Sequence, residues 1–115
     1  MNRGYEYYRL KNYKQAEKNY TKSIELKSDY FQHYYNRGLL YYKFNKYELA
    51  IEDYKNALIN SPDNSNIIYD IALTYDKLKD KENTITYYKR YLEIASENNY
   101  DKKENAIKRL EQLSK

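Results

Sequence analysis

The chain has 115 residues and a formal net charge of +4, enough for one compact domain or for three to four units of a repeat array. The absence of cysteine excludes disulfide frameworks, thiolate nucleophiles and cysteine-ligated zinc sites. Two glycines and one proline are too few for a loop-rich or all-β chain, while eighteen tyrosines supply apolar area with a polar tip. The composition therefore predicts an all-helical protein with a core built largely from tyrosine.

Small residues recur every 34 positions along the chain, at Gly4, Gly38, Ala72 and Ala106. A fixed period of this length is the sequence signature of a helical repeat array. The same step aligns further sets of positions, most of them aromatic or aliphatic. These sets are Tyr7, Tyr41 and Tyr75; Leu10, Phe44 and Leu78; Ala16, Ala50 and Thr84; Tyr20, Tyr54 and Tyr88; and Ile24, Leu58 and Leu92. The period divides a single predicted domain into units 1–30, 31–64, 65–98 and 99–115.

The first unit begins partway through its repeat, so its first helix is predicted to be a stub over about residues 2–10. In the second unit, the apolar spacing predicts helices over 31–44 and 47–60, joined by a turn at Asn45-Lys46. Pro62 then ends the second helix because proline cannot continue it. Each complete unit is therefore predicted to be a helical hairpin.

The two helices of the second unit are predicted to cross closely at Gly38 and Ala50, because a larger side chain there would push them apart. Residues 101–113 form a last helix with charges on one side and an apolar set on the other. The apolar set is Ala106, Ile107, Leu110 and Leu113. Repeat stacks need a polar-backed final element for solubility, so this helix is predicted to cap the array.

These sets resemble the tetratricopeptide-repeat family over nearly the full length of the chain. The positions that carry the resemblance are Gly4, Gly38 and Ala72; Tyr7, Tyr41 and Tyr75; Ala16 and Ala50; Tyr20, Tyr54 and Tyr88; and Pro62. The resemblance implies a right-handed α-α superhelix of three hairpins plus the capping helix. It also implies a non-enzymatic interaction scaffold that binds a peptide segment of a partner protein along a concave groove. Thr84 and Tyr91 depart from the family's small residues and predict looser packing in the third unit.

The predicted peptide-binding groove consists of first-helix positions that lie outside the core sets. These are Tyr5, Tyr8 and Arg9 in the first unit; Tyr35, Asn36, Leu39, Tyr42 and Lys43 in the second; and Tyr69, Leu73 and Lys77 in the third. Tyrosine and arginine often anchor interfaces. The basic column of Arg9, Lys43 and Lys77 favours an acidic or carboxylate-bearing segment, although Asp70 and Asp76 interrupt it in the third unit. Mixed charge of this kind is also typical of an ordinary solvated helix surface, which is the alternative.

Other function classes find less support in the sequence. The family's clamp for the C-terminal carboxylate of chaperones needs lysine, arginine and asparagine at set positions, and Asn36 alone matches, which argues against chaperone tails as partners. His33 has no second histidine or any cysteine to share a metal, so no metal site, cofactor or catalysis is expected. The acidic pair Glu52-Asp53 is expected on a solvated helix surface.

Two alternatives to peptide binding stay open. A pI near 9 and many tyrosines are compatible with nucleic-acid binding, but acidic residues dilute the cations in most units. Self-association as a homo-oligomer is the other alternative, since the stub leaves Tyr7, Leu10 and Tyr20 partly uncovered at the N-terminal end. The sequence has no stretch of roughly 18 to 20 apolar residues and no signal-peptide pattern, so the default expectation is a cytoplasmic protein without a membrane span.

Overall fold

The computed structural model describes residues 3–27, 30–95 and 99–114, with side chains from residue 10 onward in the first of these segments. Within these ranges the regular structure is entirely helical, as the composition predicts. The helices are α1 (Arg3–Leu26), α2 (Phe31–Lys43), α3 (Tyr47–Asn60), α4 (Ser65–Lys77), α5 (Lys81–Ile94) and α6 (Tyr100–Leu113). None of the helices in the described ranges is both long enough and apolar enough to cross a membrane.

The helices form two compact units, Met1–Asn60 and Ser61–Lys115. In the first, here called unit 1, α2 packs against α1 and α3; in the second, unit 2, α5 packs against α4 and α6. Each unit therefore contains one helical hairpin, α2–α3 or α4–α5, flanked by a third helix.

The two hairpins turn in the same way, 34 residues apart. Asn45 and Lys79 adopt the left-handed backbone conformation, with φ of 63° and 60°. One residue later, the Lys46 N–H donates to the Tyr41 carbonyl at 2.8 Å, and the Asp80 N–H donates to the Tyr75 carbonyl at 3.0 Å. A left-handed residue followed by a backward hydrogen bond is a common way to end a helix. The predicted turn after α2 is confirmed, and α4 repeats it.

The predicted stub over residues 2–10 is wrong, because α1 continues without a break from Arg3 to Leu26. Lys11 and Asn12 occupy the positions at which α2 and α4 give way to their turns, yet here both are helical. Neither residue breaks a helix, and a continuous helix keeps backbone hydrogen bonds that a turn would lose.

The core of unit 1 is centred on Tyr54, which is 1% exposed, and on Ala50 and Ala57, which are fully buried. Gly38 is buried beside them. A Cβ atom added at Gly38 would lie 2.7 Å from two carbons of the Tyr54 ring, which is closer than van der Waals contact allows. The predicted close crossing of α2 and α3 is therefore confirmed.

The core of unit 2 contains three fully buried isoleucines, Ile67, Ile68 and Ile71. The prediction of looser packing at Thr84 and Tyr91 is not supported, because both side chains are fully buried as well. The Thr84 hydroxyl donates to the Asp80 carbonyl at 2.7 Å, so threonine is accommodated in place of a smaller residue without an unsatisfied polar group. The Tyr91 hydroxyl, by contrast, is buried without a hydrogen-bond partner among the described residues.

Candidate protein-interaction surface

In unit 1, the predicted groove residues lie on α2 and differ in exposure. Leu39 is 40% exposed, and Lys43 is exposed as well, whereas Tyr35, Asn36 and Tyr42 are half-buried. The side chains of Tyr5, Tyr8 and Arg9, which the sequence adds to this surface, lie outside the described residues. Unit 1 therefore presents an apolar and a cationic side chain, Leu39 and Lys43, beside partly covered aromatic and amide groups.

Aromatic and amide contacts fix the half-buried members of the α2 surface. The Tyr35 ring lies 5.8 Å from that of Tyr54, and the Tyr42 ring lies 5.4 Å from that of Tyr47 in an edge-to-face arrangement. The Gln32 side-chain amide donates to Asn36 Oδ1 at 3.1 Å. Side chains held in this way lose little further freedom when a ligand binds, which favours affinity.

In unit 2, the predicted groove residues on α4 are Tyr69, Leu73 and Lys77, and the placement of one of them needs correction. Lys77 is exposed and Leu73 half-buried, but Tyr69 is only 6% exposed. The rings of Tyr88 and Tyr91 lie 5.8 and 5.0 Å from the Tyr69 ring, and the Lys102 ammonium group of α6 lies over it at 5.3 Å. Tyr69 is thus covered within unit 2 and does not present a free ring.

Helix α6 reaches two further positions of α4 through polar side chains. Lys102 Nζ donates to Asn66 Oδ1 at 3.1 Å. Arg109 forms two hydrogen bonds with the Asp76 carboxylate, at 2.8 and 2.9 Å, and these raise the pKa of Arg109. Ile107, predicted to face the core, is instead 47% exposed. The predicted division of α6 into an apolar inner face and a charged outer face is therefore wrong at three positions. Lys102 and Arg109 contact α4, and Ile107 is exposed.

Sequence spacing missed the contact between α6 and α4 because it treated α6 as a generic cap. The signal that was available is positional: Lys102, Ala106 and Arg109 are four and then three residues apart, so they share one face of a helix. Ala106, between the two cations, is fully buried, which identifies that face as the inner one.

A buried polar network joins all three helices of unit 1. Arg37 binds both oxygens of Asp53, through Nε at 2.7 Å and Nη2 at 2.8 Å, and its Nη1 donates to Thr21 Oγ1 at 3.1 Å. Nearby, the Tyr41 hydroxyl donates to Glu17 Oε2 at 2.7 Å. The network links α1, α2 and α3. Its ion pair is not repeated in unit 2, where the equivalents of Arg37 and Asp53 are Ile71 and Tyr87.

The solvated position predicted for Asp53 is wrong, because Asp53 is 2% exposed. Ala50, Asp53, Tyr54 and Ala57 share one face of α3, and this periodicity was the available signal. Burial raises the pKa of the Asp53 carboxyl above its usual value, although Arg37 acts in the opposite direction. Burial and the hydrogen bond to Glu17 likewise raise the pKa of Tyr41.

No cluster of three or more histidine, cysteine, aspartate or glutamate side chains that could hold a metal ion occurs in the part of the chain that the structure describes. His33 is half-buried, and its ring lies 4.9 Å from that of Tyr30 in an edge-to-face arrangement. This aromatic contact packs His33, in the first turn of α2, against Tyr30, which precedes the helix.

Three models of tetratricopeptide repeats match the chain, over residues 4–44, 32–64 and 65–98. No curated protein sequence matches it. Among solved structures, the tetratricopeptide domain of Arabidopsis OM64 is 20% identical, with a TM-score of 0.77 over 95% of this chain and 88% of that one.

Several of the similar structures contain a bound peptide, as two examples show. The second tetratricopeptide domain of human RPAP3, in complex with an HSP70 peptide, is 21% identical with a TM-score of 0.75, covering 98% of this chain and 90% of that one. The Yersinia enterocolitica secretion chaperone SycD, in complex with a peptide of the translocator YopD, is 14% identical with a TM-score of 0.80, covering 96% and 86%. At these identities, the similarity establishes the fold, and the predicted tetratricopeptide fold is confirmed.

Proposed function

Because the chain belongs to the tetratricopeptide-repeat family of non-enzymatic protein-interaction modules, we propose that it binds a peptide segment of a partner protein on the exposed surface of a first helix. The observation that carries the proposal is the pair Leu39 and Lys43 on α2, which are four residues apart and both exposed. Residues at this spacing lie side by side on a helix. They offer a ligand an apolar contact and a cation within one turn.

Unit 2 carries the same pair at the equivalent positions, Leu73 and Lys77 on α4. Leu73 is half-buried and Lys77 is exposed. Neither Lys43 nor Lys77 takes part in the ion pairs found among the described residues. A lysine without a carboxylate partner favours a ligand that brings one, so an acidic segment with an apolar anchor is the ligand class that we propose.

The peptide complexes of related fold support the general mode of binding. RPAP3 binds an HSP70 peptide that ends in Glu-Glu-Val-Asp, and SycD binds a peptide of YopD. Both proteins use the fold that this chain shares, so peptide recognition is compatible with its architecture. The ligand of this chain is proposed from Leu39 and Lys43 and from their equivalents in unit 2.

The test is binding of a fluorescent library of acidic peptides, measured by anisotropy with the unmodified chain and with Leu39→Ala/Lys43→Glu. Both side chains are exposed, so the variant keeps its fold, and we expect its affinity to fall about tenfold or more. Lys89→Glu makes the same charge change at an exposed position on the second helix of unit 2 and serves as the matched control. Equal losses in the two variants would mean that net charge, and not the α2 surface, binds the peptides.

Self-association is the second candidate, and the exposure of Leu10 is the observation that favours it. Leu10 is 52% exposed on α1, where an apolar side chain gains from a neighbour. Sedimentation equilibrium would show a mass above that of one chain, reduced to the monomer by Leu10→Lys. A monomer at all concentrations removes this candidate and leaves the peptide proposal intact.

A further inference from the structure

Helix α6 has a face turned away from the side on which it contacts α4, which we call the outer face of α6. Its residues recur every three or four positions and therefore share one side of the helix. They are Tyr100, Lys103, Glu104, Ile107, Lys108 and Glu111, and they line an open surface pocket of about 440 Å³. We propose that the outer face of α6 binds the same face of a second copy of this chain, with the two helices antiparallel.

Two large side chains of the outer face are exposed to solvent. Tyr100 is 70% exposed and Ile107 is 47% exposed. Ala106, which precedes Ile107, is fully buried, so Ile107 lies outside the packed side of the helix. Burial of exposed apolar surface is favourable, and neighbouring exposed apolar side chains on a helix often mark an interaction site. The outer face therefore gains from a partner that covers both side chains.

The charges of the outer face indicate which partner fits. Glu104 already pairs with Lys108 within α6, at 3.5 Å. Lys103 and Glu111 take part in none of the ion pairs found among the described residues. They are opposite in charge, and each is four residues from Ile107. An antiparallel helix that pairs with both must carry a cation and, eight residues later, a carboxylate.

A second copy of α6 meets this requirement. An antiparallel pair of helices with Ile107 at its two-fold axis places residues at equal and opposite distances from Ile107 side by side. Lys103 of each copy then faces Glu111 of the other, so the contact forms two equivalent ion pairs around a central apolar contact. An interface in which the same residues meet in both directions is the one that closes a homodimer.

Other arrangements of the two helices are less favourable. A parallel pair places Lys103 beside Lys103 and Glu111 beside Glu111, and an antiparallel pair shifted by three residues places Lys103 opposite Lys108. Like charges that meet across an interface oppose binding. A shift of seven residues pairs Lys103 with Glu104, which Lys108 already holds, and shortens the overlap of the helices. The charge pattern therefore favours the antiparallel pair centred on Ile107.

The dimer is expected to be weak. Helix α6 has 14 residues and is about 21 Å long, so one helix from each copy forms an interface smaller than the roughly 1,600 Å² of a standard complex. Ion pairs between partly solvated side chains are screened by salt. We expect a dissociation constant of roughly 100 μM that rises with salt concentration.

The inference is separate from the peptide proposal, because it concerns unit 2 and not Leu39 and Lys43. It also differs from the self-association that the exposure of Leu10 favours, since that contact lies on α1. Leu10→Lys and Ile107→Lys separate the two contacts, because each change disrupts only a dimer that uses its own helix.

The first experiment is sedimentation equilibrium of the full chain at concentrations up to about 1 mM, where a dimer of this affinity is populated. Ile107→Lys brings two ammonium groups together at the two-fold axis, so it should weaken the dimer at least about tenfold. Asn105→Lys is the matched control, since Asn105 is exposed on α6 outside the outer face, and it should dimerise no less than expected from its added charge. A monomer throughout, or a dimer that Leu10→Lys abolishes and Ile107→Lys does not, would overturn the inference.

The second experiment exchanges the charges. Lys103→Glu leaves four carboxylates at the two ion-pair positions of a dimer, and Glu111→Lys leaves four ammonium groups, so each variant alone should dimerise at least about tenfold more weakly. An equimolar mixture of the two should form a heterodimer about as readily as the unmodified chain dimerises, because both ion pairs are restored. If circular dichroism shows both variants folded and their mixture is still monomeric, the antiparallel pairing is wrong.

The third experiment uses the absence of cysteine from the chain. Two cysteines that face each other at the two-fold axis lie within reach of a disulfide, so oxidised Ile107→Cys should form a covalent dimer. Asn105→Cys is equally accessible but turned away from the axis, and it should cross-link at least about tenfold more slowly. Equal rates for the two variants would mean that chance collisions, and not a dimer through the outer face, bring the cysteines together.

Discussion

Among the described residues, each unit of the molecule has an ion pair between an arginine and an aspartate, and these two pairs have nearly the same geometry. In unit 1, Arg37 binds Asp53 through two hydrogen bonds of 2.7 and 2.8 Å; in unit 2, Arg109 binds Asp76 through two of 2.8 and 2.9 Å. Their surroundings differ. The Asp53 side chain is 3% exposed and the Asp76 side chain 23%.

This difference in exposure indicates that burial, more than hydrogen-bond length, determines how much stability is lost when an ion pair is broken. A carboxylate removed from water depends on its partner, so losing that partner is costly, whereas a solvated carboxylate loses little. The equivalents of Arg37 and Asp53 in unit 2 are Ile71 and Tyr87. The same repeat thus tolerates a polar network in one unit and an apolar core in the other, and sensitivity to charge should be concentrated in unit 1.

The largest expected effect is independent of charge and comes from the centre of unit 1. Tyr54→Ala should lower the free energy of unfolding by about 3–5 kcal/mol, because it removes a ring that is 1% exposed and leaves a cavity. Urea denaturation measures the loss. Tyr35→Ala is the matched control, since that ring touches Tyr54 but is half-buried, and it should cost about 1 kcal/mol or less. Similar losses for the two variants would place Tyr35 in the core and remove it from the binding surface.

The second prediction tests the two ion pairs directly. Asp53→Ala should cost about 3 kcal/mol because it leaves Arg37, whose side chain is 19% exposed, without its carboxylate. Asp76→Ala should lower the free energy of unfolding by less than about 1 kcal/mol, because water can hydrate the partly exposed Arg109 side chain once its carboxylate is removed. Urea denaturation of both variants gives the comparison. Equal costs would mean that hydrogen-bond geometry outweighs burial.

The third prediction concerns the position at which the two hairpins differ by a single methyl group. Gly38→Ala places a Cβ atom 2.7 Å from the Tyr54 ring, which should cost about 1–2 kcal/mol after the gain in helix propensity is subtracted. Unit 2 already has Ala72 at this position, fully buried. Ala72→Gly should therefore also lower the free energy of unfolding, by about 1 kcal/mol, because glycine has a lower helix propensity than alanine and lacks its packed methyl group. A stabilised Gly38→Ala variant would show that the Tyr54 ring moves aside at no cost.

Sequence periodicity predicted most of the fold because its signals repeat. The small residues at Gly38 and Ala50, the buried Tyr54 and the turn at Asn45 all follow from positions 34 residues apart or from helical spacing. The continuous α1 could not be found in this way, since Lys11 and Asn12 are compatible with both a turn and a helix.

The candidate surface was predicted less completely, because exposure depends on neighbours distant in the chain. Leu39, Lys43 and Lys77 are accessible where spacing placed them. Tyr69 is covered by Lys102, 33 residues later, and Asp53 is buried by its pairing with Arg37, 16 residues earlier. A contact that is made in only one repeat cannot be predicted from residues that recur every 34 positions.

The smallest expected effect is the pH dependence that Asp53 gives to unit 1. Burial raises the pKa of the folded carboxyl above its value in the unfolded chain, so the folded state binds the proton at higher pH. The stabilisation that protonation of Asp53 gives the folded state is therefore fully present below the ordinary pKa of aspartate, about 3.9. It is lost as the pH rises through the higher pKa that Asp53 has in the folded state.

Asp53→Asn does not titrate at this position and serves as the reference. Going from neutral pH toward pH 4, the unmodified chain should gain unfolding free energy relative to Asp53→Asn, measured by urea denaturation at each pH. The gain is smaller than the cost of Asp53→Ala because only the difference between the folded and unfolded pKa contributes to it. The opposite slope would mean that Arg37 outweighs burial, and the two arginine–aspartate pairs would then differ less than their exposure indicates.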